Sequence, residues 1–458
     1  MKEIKSLIDL IGNTPLVQVK TFDTGSCNLF LKMENRNPGS SIKDRVALKI
    51  IEDAEKSGEL NENATIVEAT AGNTGLGLAL IAKLKGYKAK VVILDKMNEN
   101  KIFHLKALGA EVFKARSDVG PDSPEHYVNV AKKICNETPN SFMASQFTNP
   151  SNPSAHELTT GPEILRQLDG KVDAVVCGVG TGGTITGLGR FFEKNSPSTD
   201  MILADPKGSI IKDIVEKREP READYSWLVE GIGEDFVPSI TDLDLVSKSY
   251  WISDKESFTV ARDLLRKEGI LAGSSTGTLV AAALKWCIEQ SEPKRVATFA
   301  CDHGSKYLDK MFNNYWMLDQ GFTDRKTHGD LRDLIARRHS TKEDFTLEEN
   351  LPVMQAMKNM RLYDISQMAV LNEGGQVVGI LDESDILLAV TNDSANFQKP
   401  VHEFMTTELS TLTADKSIED LMPLFAEDKV AIVFDQDNYL GLITKIDLIN
   451  HLRKQLPR

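Results

Sequence analysis

Residues 38–45 read Pro-Gly-Ser-Ser-Ile-Lys-Asp-Arg and place a lysine, Lys43, at the expected start of a helix. The proline and glycine favour a turn before it, and Ser40 or Ser41 is suited to the N-cap position. Apolar residues then recur at helical spacing until Gly58, which supplies a stop signal. The sequence therefore predicts an amphipathic helix that carries Lys43 in its first turn.

The first turn of a helix is an unfavourable place for a positive charge. The helix macrodipole opposes a cation there by about 0.3–1 kcal/mol, and partial burial also lowers the pKa of a lysine. Both effects favour the neutral amine, which is the form that Schiff-base chemistry requires. A surface lysine at an ordinary helix start fits the same stretch, so the rest of the chain decides between the two interpretations.

The composition is that of a globular protein, with 41% hydrophobic and 26% charged residues among 458, which is enough chain for two or three domains. The net charge of -13 argues against nucleic acid or an anionic membrane as the main partner. The longest apolar run, at residues 76–84, is far shorter than the roughly 20 residues of a membrane span. The charged N-terminus has no signal-peptide pattern, and the five scattered cysteines form no CxxC pair. We therefore expect a cytoplasmic protein without a metal cluster.

Strand-like and helix-like patterns alternate through the first 300 residues. The predicted strands are 28–34, 64–69, 88–94, 111–114, 174–177, 201–204 and 295–300. After the Lys43 helix, the predicted helices are 76–86, 99–108, 125–137, 157–168, 184–194, 255–268 and 278–290. This alternation predicts an α/β fold with a mainly parallel sheet covered by helices on both faces. In such folds ligands bind beyond the carboxyl ends of the strands.

The composition of the sequence changes near residue 320, and an internal repeat follows. Two segments align when Gly379 is placed on Gly441, which also places Asp385 on Asp447. The repeat is roughly sixty residues long. Each unit reads as a strand, a polar turn and a helix, too small to bury its own apolar face, so we predict that the two units pack as a pair.

Residues 178–187, Gly-Val-Gly-Thr-Gly-Gly-Thr-Ile-Thr-Gly, follow a predicted strand and open a helix. Backbone N–H groups exposed by glycines at a helix N-terminus form a phosphate site. The stretch also satisfies the dinucleotide fingerprint, and Asp205 lies where a ribose-binding acid is expected, so an NAD-dependent oxidoreductase is an alternative. The fingerprint does not lie in the first βα unit, however, and Pro206 follows Asp205 directly, which weighs against a dinucleotide.

Two more turns of small and hydroxyl residues stand before predicted helices. Residues 70–74 read Thr-Ala-Gly-Asn-Thr and suit a carboxylate ligand, and residues 272–277 read Ala-Gly-Ser-Ser-Thr-Gly. Each turn by itself is equally compatible with an ordinary helix cap. Together with Lys43 and the glycine loop they form a far more specific combination.

In these motifs and their order, residues 5–318 resemble the fold-type II enzymes that depend on pyridoxal phosphate, specifically the cystathionine β-synthase and cysteine synthase family. Further matching segments are 11–16, 68–75, 146–163 and 230–233. The resemblance implies a tryptophan synthase β-like α/β core with pyridoxal 5'-phosphate as cofactor. Lys43 would bond covalently to the cofactor, Asn73 would hydrogen-bond its ring hydroxyl and Ser275 would face its pyridine nitrogen.

The resemblance also assigns residues to the cofactor phosphate and to the substrate carboxylate. The phosphate would be held by Gly180, Thr181, Gly182, Gly183 and Thr184. The carboxylate of the amino-acid substrate would be held by Thr70, Ala71, Gly72, Thr74 and Gln146. Glu234 departs from the tyrosine of vertebrate-type β-synthases, which leaves the preference for the second substrate open.

The C-terminal repeat resembles a pair of CBS motifs, an α+β module that binds adenosyl ligands and that typical cysteine synthases lack. The implied domains are a catalytic core at 1–318, a linker at 319–340 and CBS motifs at 341–395 and 396–458. Thr444 and Asp447 would hold the ribose of S-adenosylmethionine or an adenine nucleotide, whereas Asp382 replaces the corresponding threonine in the first motif. A dimerisation module without a ligand is the alternative.

The resemblance implies a β-replacement that condenses serine, or O-acetylserine, with homocysteine to give cystathionine. Residues 312–317 are similar to the end of a cystathionine β-synthase core, but Gly161-Pro162-Glu163 is more similar to cysteine synthase, so a cysteine synthase that uses sulfide is the alternative. The family implies a homodimer. No haem is expected, because the resembling segment begins by residue 5.

Overall fold

The computed structural model describes residues 4–70, 72–95, 99–120, 122–219 and 227–454. The chain divides into two compact units, Met1–Asn313 and Asn314–Arg458. Among the described residues, no helix combines the length and the apolar character that a membrane span needs. The predicted substrate ligand Ala71 lies outside the described residues.

The first unit contains two separate sheets. Its described strands are β1 (Leu16–Gln18), β2 (Asn28–Lys32), β3 (Thr65–Ala69), β4 (Lys88–Leu94), β5 (Glu111–Ala115), β6 (Ser141–Met143), β7 (Ala174–Cys177), β8 (Asp200–Pro206), β9 (Lys248–Ile252) and β10 (Arg295–Phe299). One sheet has the order β1-β2-β10-β7-β8-β9 and is parallel except for the β1–β2 pair, and the other is the parallel sheet β5-β4-β3-β6. The alternation of strands and helices predicted the parallel pairing but not the division into two sheets.

Helices cover both sheets. They are α1 (Lys43–Ser57), α2 (Asn73–Lys85), α3 (Glu99–Ala107), α4 (Tyr127–Glu137), α5 (Ser151–Ala155), α6 (Gly161–Gln167), α7 (Gly183–Asn195), α8 (Ile211–Val215), α9 (Asp254–Glu268) and α10 (Ser274–Ile288). The helix predicted at 157–168 is instead a π-helical turn at His156–Thr160 followed by α6, and the short helix α5 comes directly before them. Pro162 cannot donate a backbone hydrogen bond, so a regular helix could not continue unbroken through this segment.

The central strands are buried along their whole length. Every residue of β3 and of β7 is buried, as expected for parallel strands covered on both faces. Their carboxyl ends lead directly to Thr70 and to the glycine loop at residues 178–182. The fold therefore brings the turns that the sequence singled out to the ligand-binding edges of the two sheets.

The second unit confirms the internal repeat. Its strands are β11 (Thr346–Glu348), β12 (Gln367–Leu371), β13 (Val377–Asp382), β14 (Thr411–Thr413), β15 (Ala431–Asp435) and β16 (Asn438–Ile443), and its helices are α11 (Asn314–Asp319), α12 (Val353–Tyr363), α13 (Glu383–Asn392), α14 (Ile418–Ala426) and α15 (Lys445–Lys454). The sheets β11-β12-β13 and β14-β15-β16 share one topology, with Gly379 opposite Val370 and Gly441 opposite Val433. A cluster that includes Ala369 and Ile432 joins the two repeats.

Part of the predicted linker packs into this unit. Leu331, Leu334 and Ile335 are buried in one cluster with Leu421 and Val433 of the second repeat. A chain that only bridged two domains would have no reason to bury these apolar side chains. The boundaries assigned from the sequence, at 318, 340 and 395, remain a proposal.

Candidate active site

Lys43 is the first residue of α1, as predicted. Its Nζ has no hydrogen-bond or ion-pair partner among the described residues, and burial lowers its pKa, opposed by the nearby Cys301 and Glu234. The predicted serine cap is wrong in detail, because the N-cap residue is Ile42 and the Ser41 hydroxyl accepts from the Lys43 backbone N–H at 3.3 Å. The lysine is therefore the unpartnered amine with a lowered pKa that Schiff-base chemistry requires.

A short segment after β10 ties the Lys43 segment to the third predicted turn. Ser41 pairs with Asp302 and Ala272 pairs with His303 in isolated antiparallel bridges. Residues 301–303 thus lie between the start of α1 and the turn that carries Ser275. Two elements separated by more than 200 residues of sequence become neighbours through this segment.

The glycine loop is packed so closely that side chains in place of its glycines would collide with neighbouring residues. A Cβ on Gly180 would lie 2.4 Å from the Gly231 carbonyl oxygen, and one on Gly183 would lie 1.9 Å from Asn152 Oδ1. Gly182 has a φ of +80°, which disfavours any other residue. Glycines at these positions allow Gly231, Asn152 and Thr241 to pack directly against the loop, at the N-terminus of α7, which is the kind of position that binds a phosphate.

Hydroxyl groups surround this loop. The Asn152 amide donates to Thr181 Oγ1 at 2.9 Å, and Thr184 Oγ1 lies 3.2 Å from His156 Nε2. Thr241 Oγ1 is buried and has no hydrogen-bond partner among the described residues, although a Cβ on Gly182 would touch it. Hydroxyl groups that can donate hydrogen bonds, close to the N-terminus of α7, are suited to bind the phosphate of pyridoxal phosphate.

The acidic residue that the alternative dinucleotide site requires is not accessible to a ligand. Asp205 lies in β8 and is completely buried, and its Oδ2 accepts from the Lys212 backbone N–H at 2.9 Å. Burial raises the pKa of this carboxyl to about 7. A ribose hydroxyl could not reach such an enclosed group, so the fingerprint at residues 178–183 is not accompanied by its usual partner.

The turn at residues 70–74 is brought together with Gln146. Thr74 Oγ1 donates to Gln146 Oε1 at 2.5 Å, and the Gly72 N–H donates to Thr70 Oγ1 at 3.2 Å. The buried Glu68 carboxylate accepts from the Gln146 backbone N–H at 3.1 Å and so fixes this residue against β3. Hydroxyl and amide groups at the start of α2 can bind a substrate carboxylate.

Ser275 is the second residue of α10 and is buried. Its hydroxyl acts on the thiol of Cys301, the residue next to Asp302, and partly opposes the effect of burial on the pKa of that thiol. Burial raises the pKa of that thiol to about 12, so both groups are neutral at physiological pH. The family resemblance assigns the Ser275 hydroxyl to the pyridine nitrogen of the cofactor, and this assignment stays a prediction.

Sequence reasoning did not identify several residues that complete the site. Asn152 and His156 lie within a segment that matched the family but received no role, and Asp302 and Lys306 follow the predicted strand at 295–300. Asn73 donates through Nδ2 to Asp302 Oδ2 at 2.8 Å and accepts at Oδ1 from Lys306 Nζ at 2.6 Å. The position of Asp302 just beyond a strand end was the available signal.

In the second unit, Thr444 and Asp447 contact each other at the start of α15. Asp447 Oδ2 accepts from Thr444 Oγ1 at 2.6 Å and from the Thr444 backbone N–H at 2.7 Å. The first repeat has a similar cap, in which Asp382 Oδ1 accepts from the Asp385 backbone N–H at 2.8 Å. The assignment of these groups to a nucleotide ribose remains a prediction.

Comparison with known proteins identifies the family. Residues 7–302 match the family model of pyridoxal-phosphate-dependent enzymes, and residues 332–392 and 401–454 each match the CBS domain. The chain is 35% identical to the cystathionine beta-synthase of Dictyostelium discoideum, covering 98% of this chain and 92% of the relative. It is 32% identical to that of Saccharomyces cerevisiae, covering 98% and 97%.

The fold is also shared with a solved structure. A hydrogen sulfide-producing enzyme from Fusobacterium nucleatum superposes with a TM-score of 0.62 at 36% identity, covering 67% of this chain and 100% of that one. The matches extend through both units of the chain, and the residues at the site fit the cofactor that the family model names. The chain therefore belongs to the cystathionine β-synthase family of pyridoxal-phosphate-dependent enzymes.

Proposed function

We propose that this enzyme condenses L-serine, or O-acetylserine, with L-homocysteine to give cystathionine. The proposal is supported by relatives named cystathionine beta-synthase that align over nearly the whole chain, CBS module included. The single observation that carries the chemistry is Lys43 at the start of α1, an amine with a lowered pKa and no hydrogen-bond or ion-pair partner in the part of the chain that the structure describes.

The residues around Lys43 divide into cofactor and substrate ligands. Lys43, Asn73, the loop at residues 180–184 and Ser275 would hold pyridoxal phosphate. When bound, this cofactor withdraws electrons from the substrate Cα and so permits loss of the group on Cβ. The substrate carboxylate would be held by Thr70, Ala71, Gly72, Thr74 and Gln146.

Lys43 would act as the base and acid of the reaction. Its neutral amine accepts the proton from the substrate Cα and later returns it to the same atom, after the thiolate has added at Cβ. Burial lowers the pKa of the amine and so favours its neutral form, and the Ser275 hydroxyl places no charge at the far end of the site. The base thus needs no other titrating group to activate it.

Lys43→Ala tests this assignment. We expect a folded, colourless protein without turnover, because both the covalent link and the base are removed. Lys49→Ala is the matched control, since Lys49 lies on the same helix and pairs with Asp53 near the surface; its colour and activity should persist. Turnover retained by the Lys43 variant would refute the assignment.

A cysteine synthase that uses sulfide is the second candidate, favoured by the segment Gly161-Pro162-Glu163, which is more similar to cysteine synthase. Steady-state rates with serine or O-acetylserine, each combined with homocysteine or sulfide, separate the two activities. A product formed with sulfide and not with homocysteine would establish the rival reaction.

We further propose that the second unit binds an adenosyl ligand through Thr444 and Asp447 and that the ligand regulates turnover. The proposal is supported by the match of both repeats to the CBS domain and by the preserved pair of polar groups at the start of α15. Addition of S-adenosylmethionine to the full chain should change both its melting temperature and its rate. A homodimer and a cytoplasmic location are also proposed, the first testable by sedimentation.

A further inference from the structure

Two charged residues beside the cofactor site have no part in the reaction described above. Asp302 lies just beyond β10, and Lys306 lies in the 3₁₀ turn Gly304–Tyr307. Both contact Asn73, which is the first residue of α2. Asn73 Nδ2 donates to Asp302 Oδ2 at 2.8 Å, and Lys306 Nζ donates to Asn73 Oδ1 at 2.6 Å.

These two partners allow the Asn73 amide one orientation. An ionised carboxylate can only accept hydrogen bonds and an ammonium can only donate them. If the amide turned over, its oxygen would face the Asp302 carboxylate and its N–H groups would face the Lys306 ammonium. Both hydrogen bonds would then be replaced by repulsive contacts in a partly buried site, where hydrogen bonds to charged groups are strong.

The two charged groups are themselves held in place. Asp302 is 1% exposed, it is bridged to Ser41, and its Oδ2 also accepts from the Tyr307 hydroxyl at 2.7 Å. A Cβ on Gly273 would lie 1.9 Å from Asp302 Oδ1, so the carboxylate has no room to move towards that turn. Burial lowers the pKa of Lys306, but Asp302 and Asp44 oppose this change and favour the ammonium.

We propose that Asp302 and Lys306 are positioning residues that make Asn73 present an N–H donor, and not its carbonyl oxygen, to the ring oxygen of pyridoxal phosphate. The Nδ2 group has two hydrogens, and Asp302 occupies one of them. A donor stabilises the ionised form of the ring oxygen, so the orientation of Asn73 sets the balance between its ionised and protonated forms. The inference rests on the role of Asn73 in the proposed function.

The absorption spectrum of the cofactor-bound full-length protein reports this balance directly, because the two protonation states of the ring absorb in different bands. Asp302→Asn keeps the side-chain volume but lets residue 302 donate or accept, so that only Lys306 still opposes the turned-over orientation of the Asn73 amide. Lys306→Met removes the donor at similar length. We expect each variant to change the band ratio about tenfold towards the protonated form, the effect of one charge-assisted hydrogen bond.

Two controls separate positioning from a general loss of structure. Tyr87→Phe removes a hydroxyl that donates to a carboxylate outside the site, that of Glu55, and should lower the melting temperature without changing the band ratio. Lys306→Arg restores a cationic donor and should return the ratio towards that of the parent protein. In an Asn73→Ala background, Asp302→Asn should have no further effect on the ratio, since both residues act through one amide.

The outcomes distinguish this inference from the proposed function. An unchanged ratio in both Asp302→Asn and Lys306→Met would overturn the inference while the parent protein still binds its cofactor through Lys43. The same holds if the shift persists in the Asn73→Ala background. A parent spectrum that is unaffected by Lys43→Ala would instead refute the proposed site, and the inference with it.

Discussion

Gly182→Ala is the most direct test of the glycine loop as a phosphate site. Gly182 is the N-cap residue of α7 and has a φ of +80°. A Cβ there would lie 1.8 Å from Thr241 Oγ1 and 2.7 Å from Thr241 Cβ, against an ordinary contact of 3.4–4 Å. Alanine in the left-handed region costs about 1–2 kcal/mol, and an overpacked site costs about 1–3 kcal/mol more.

Gly170→Ala is the matched control. Gly170 has a similar φ of +75°, but a Cβ there would meet no atom within 4 Å. It lies in the turn before β7, whereas Gly182 lies in the loop after it, so both substitutions flank one strand. The control therefore carries the backbone strain alone, about 1–2 kcal/mol, and the difference between the two variants isolates the contact with Thr241.

Urea unfolding of the cofactor-free protein measures the stability of each variant, and fluorescence titration with pyridoxal phosphate measures its affinity for the cofactor. We expect Gly182→Ala to lose about 2–5 kcal/mol of stability and to bind the cofactor at least about tenfold more weakly, because one charge-assisted hydrogen bond is worth that much. Gly170→Ala should keep the parent affinity. Equal stability losses, or an unchanged affinity in Gly182→Ala, would refute the reasoning.

Three further predictions concern the buried charges and the second unit. Glu163 forms ion pairs with Lys32 and Arg45 at 2.6 and 2.7 Å. Glu163→Gln should therefore lower the free energy of unfolding, measured with urea, by about 3–5 kcal/mol. Asp263→Asn breaks a more exposed ion pair with Lys267 and should lower it by at most about 1 kcal/mol. Burial raises the pKa of Glu163, but hydrogen bonds from Arg45 and Lys32 outweigh burial and lower this pKa from 4.5 to about 2. The stabilisation of the folded protein by the Glu163 carboxylate is therefore complete above pH 4.5 and is lost as the pH falls towards 2. A pH titration of stability should therefore be flatter in Glu163→Gln over that range, and an unchanged slope would contradict the assignment. Thr444→Val removes the hydroxyl that donates to Asp447 and should weaken S-adenosylmethionine binding at least about tenfold, as measured by calorimetry. The control Ser417→Ala, which removes the cap of α14, should leave this affinity unchanged. Equal affinities in the two variants would count against the proposed ligand site.

Some elements could be predicted because local sequence decides them. The Lys43 helix begins at Lys43, and Gly58 ends it with a φ of +79° in the left-handed region. The glycine loop follows β7 directly, since a buried apolar run and a row of small residues are both local patterns. Three described strands of the first unit were not predicted: β1 and β6 are three residues long, and β9 shows no regular alternation of buried and exposed residues. Each repeat of the second unit was predicted with one strand and has three.

The charged partners of Asn73 could not be predicted from their own neighbourhoods. Asp302 is 229 residues away from Asn73 in the sequence, and nothing near it indicates which turn it will meet. The contact exists because β10 lies between β2 and β7 in the sheet. The order of strands depends on how the crossovers pack, which no local pattern specifies.

The sequence by itself predicted a pyridoxal-phosphate enzyme, because a lysine at a helix start, a glycine loop after a strand and a repeated C-terminal motif are local patterns that each occupy a few consecutive residues. Only the tertiary structure decided how these groups are oriented. The amide of Asn73, the cap of α1 and the enclosure of Asp205 depend on side chains contributed by distant elements. The hydrogen bonds and burial that orient a side chain act through space, whereas the sequence records only neighbours along the chain.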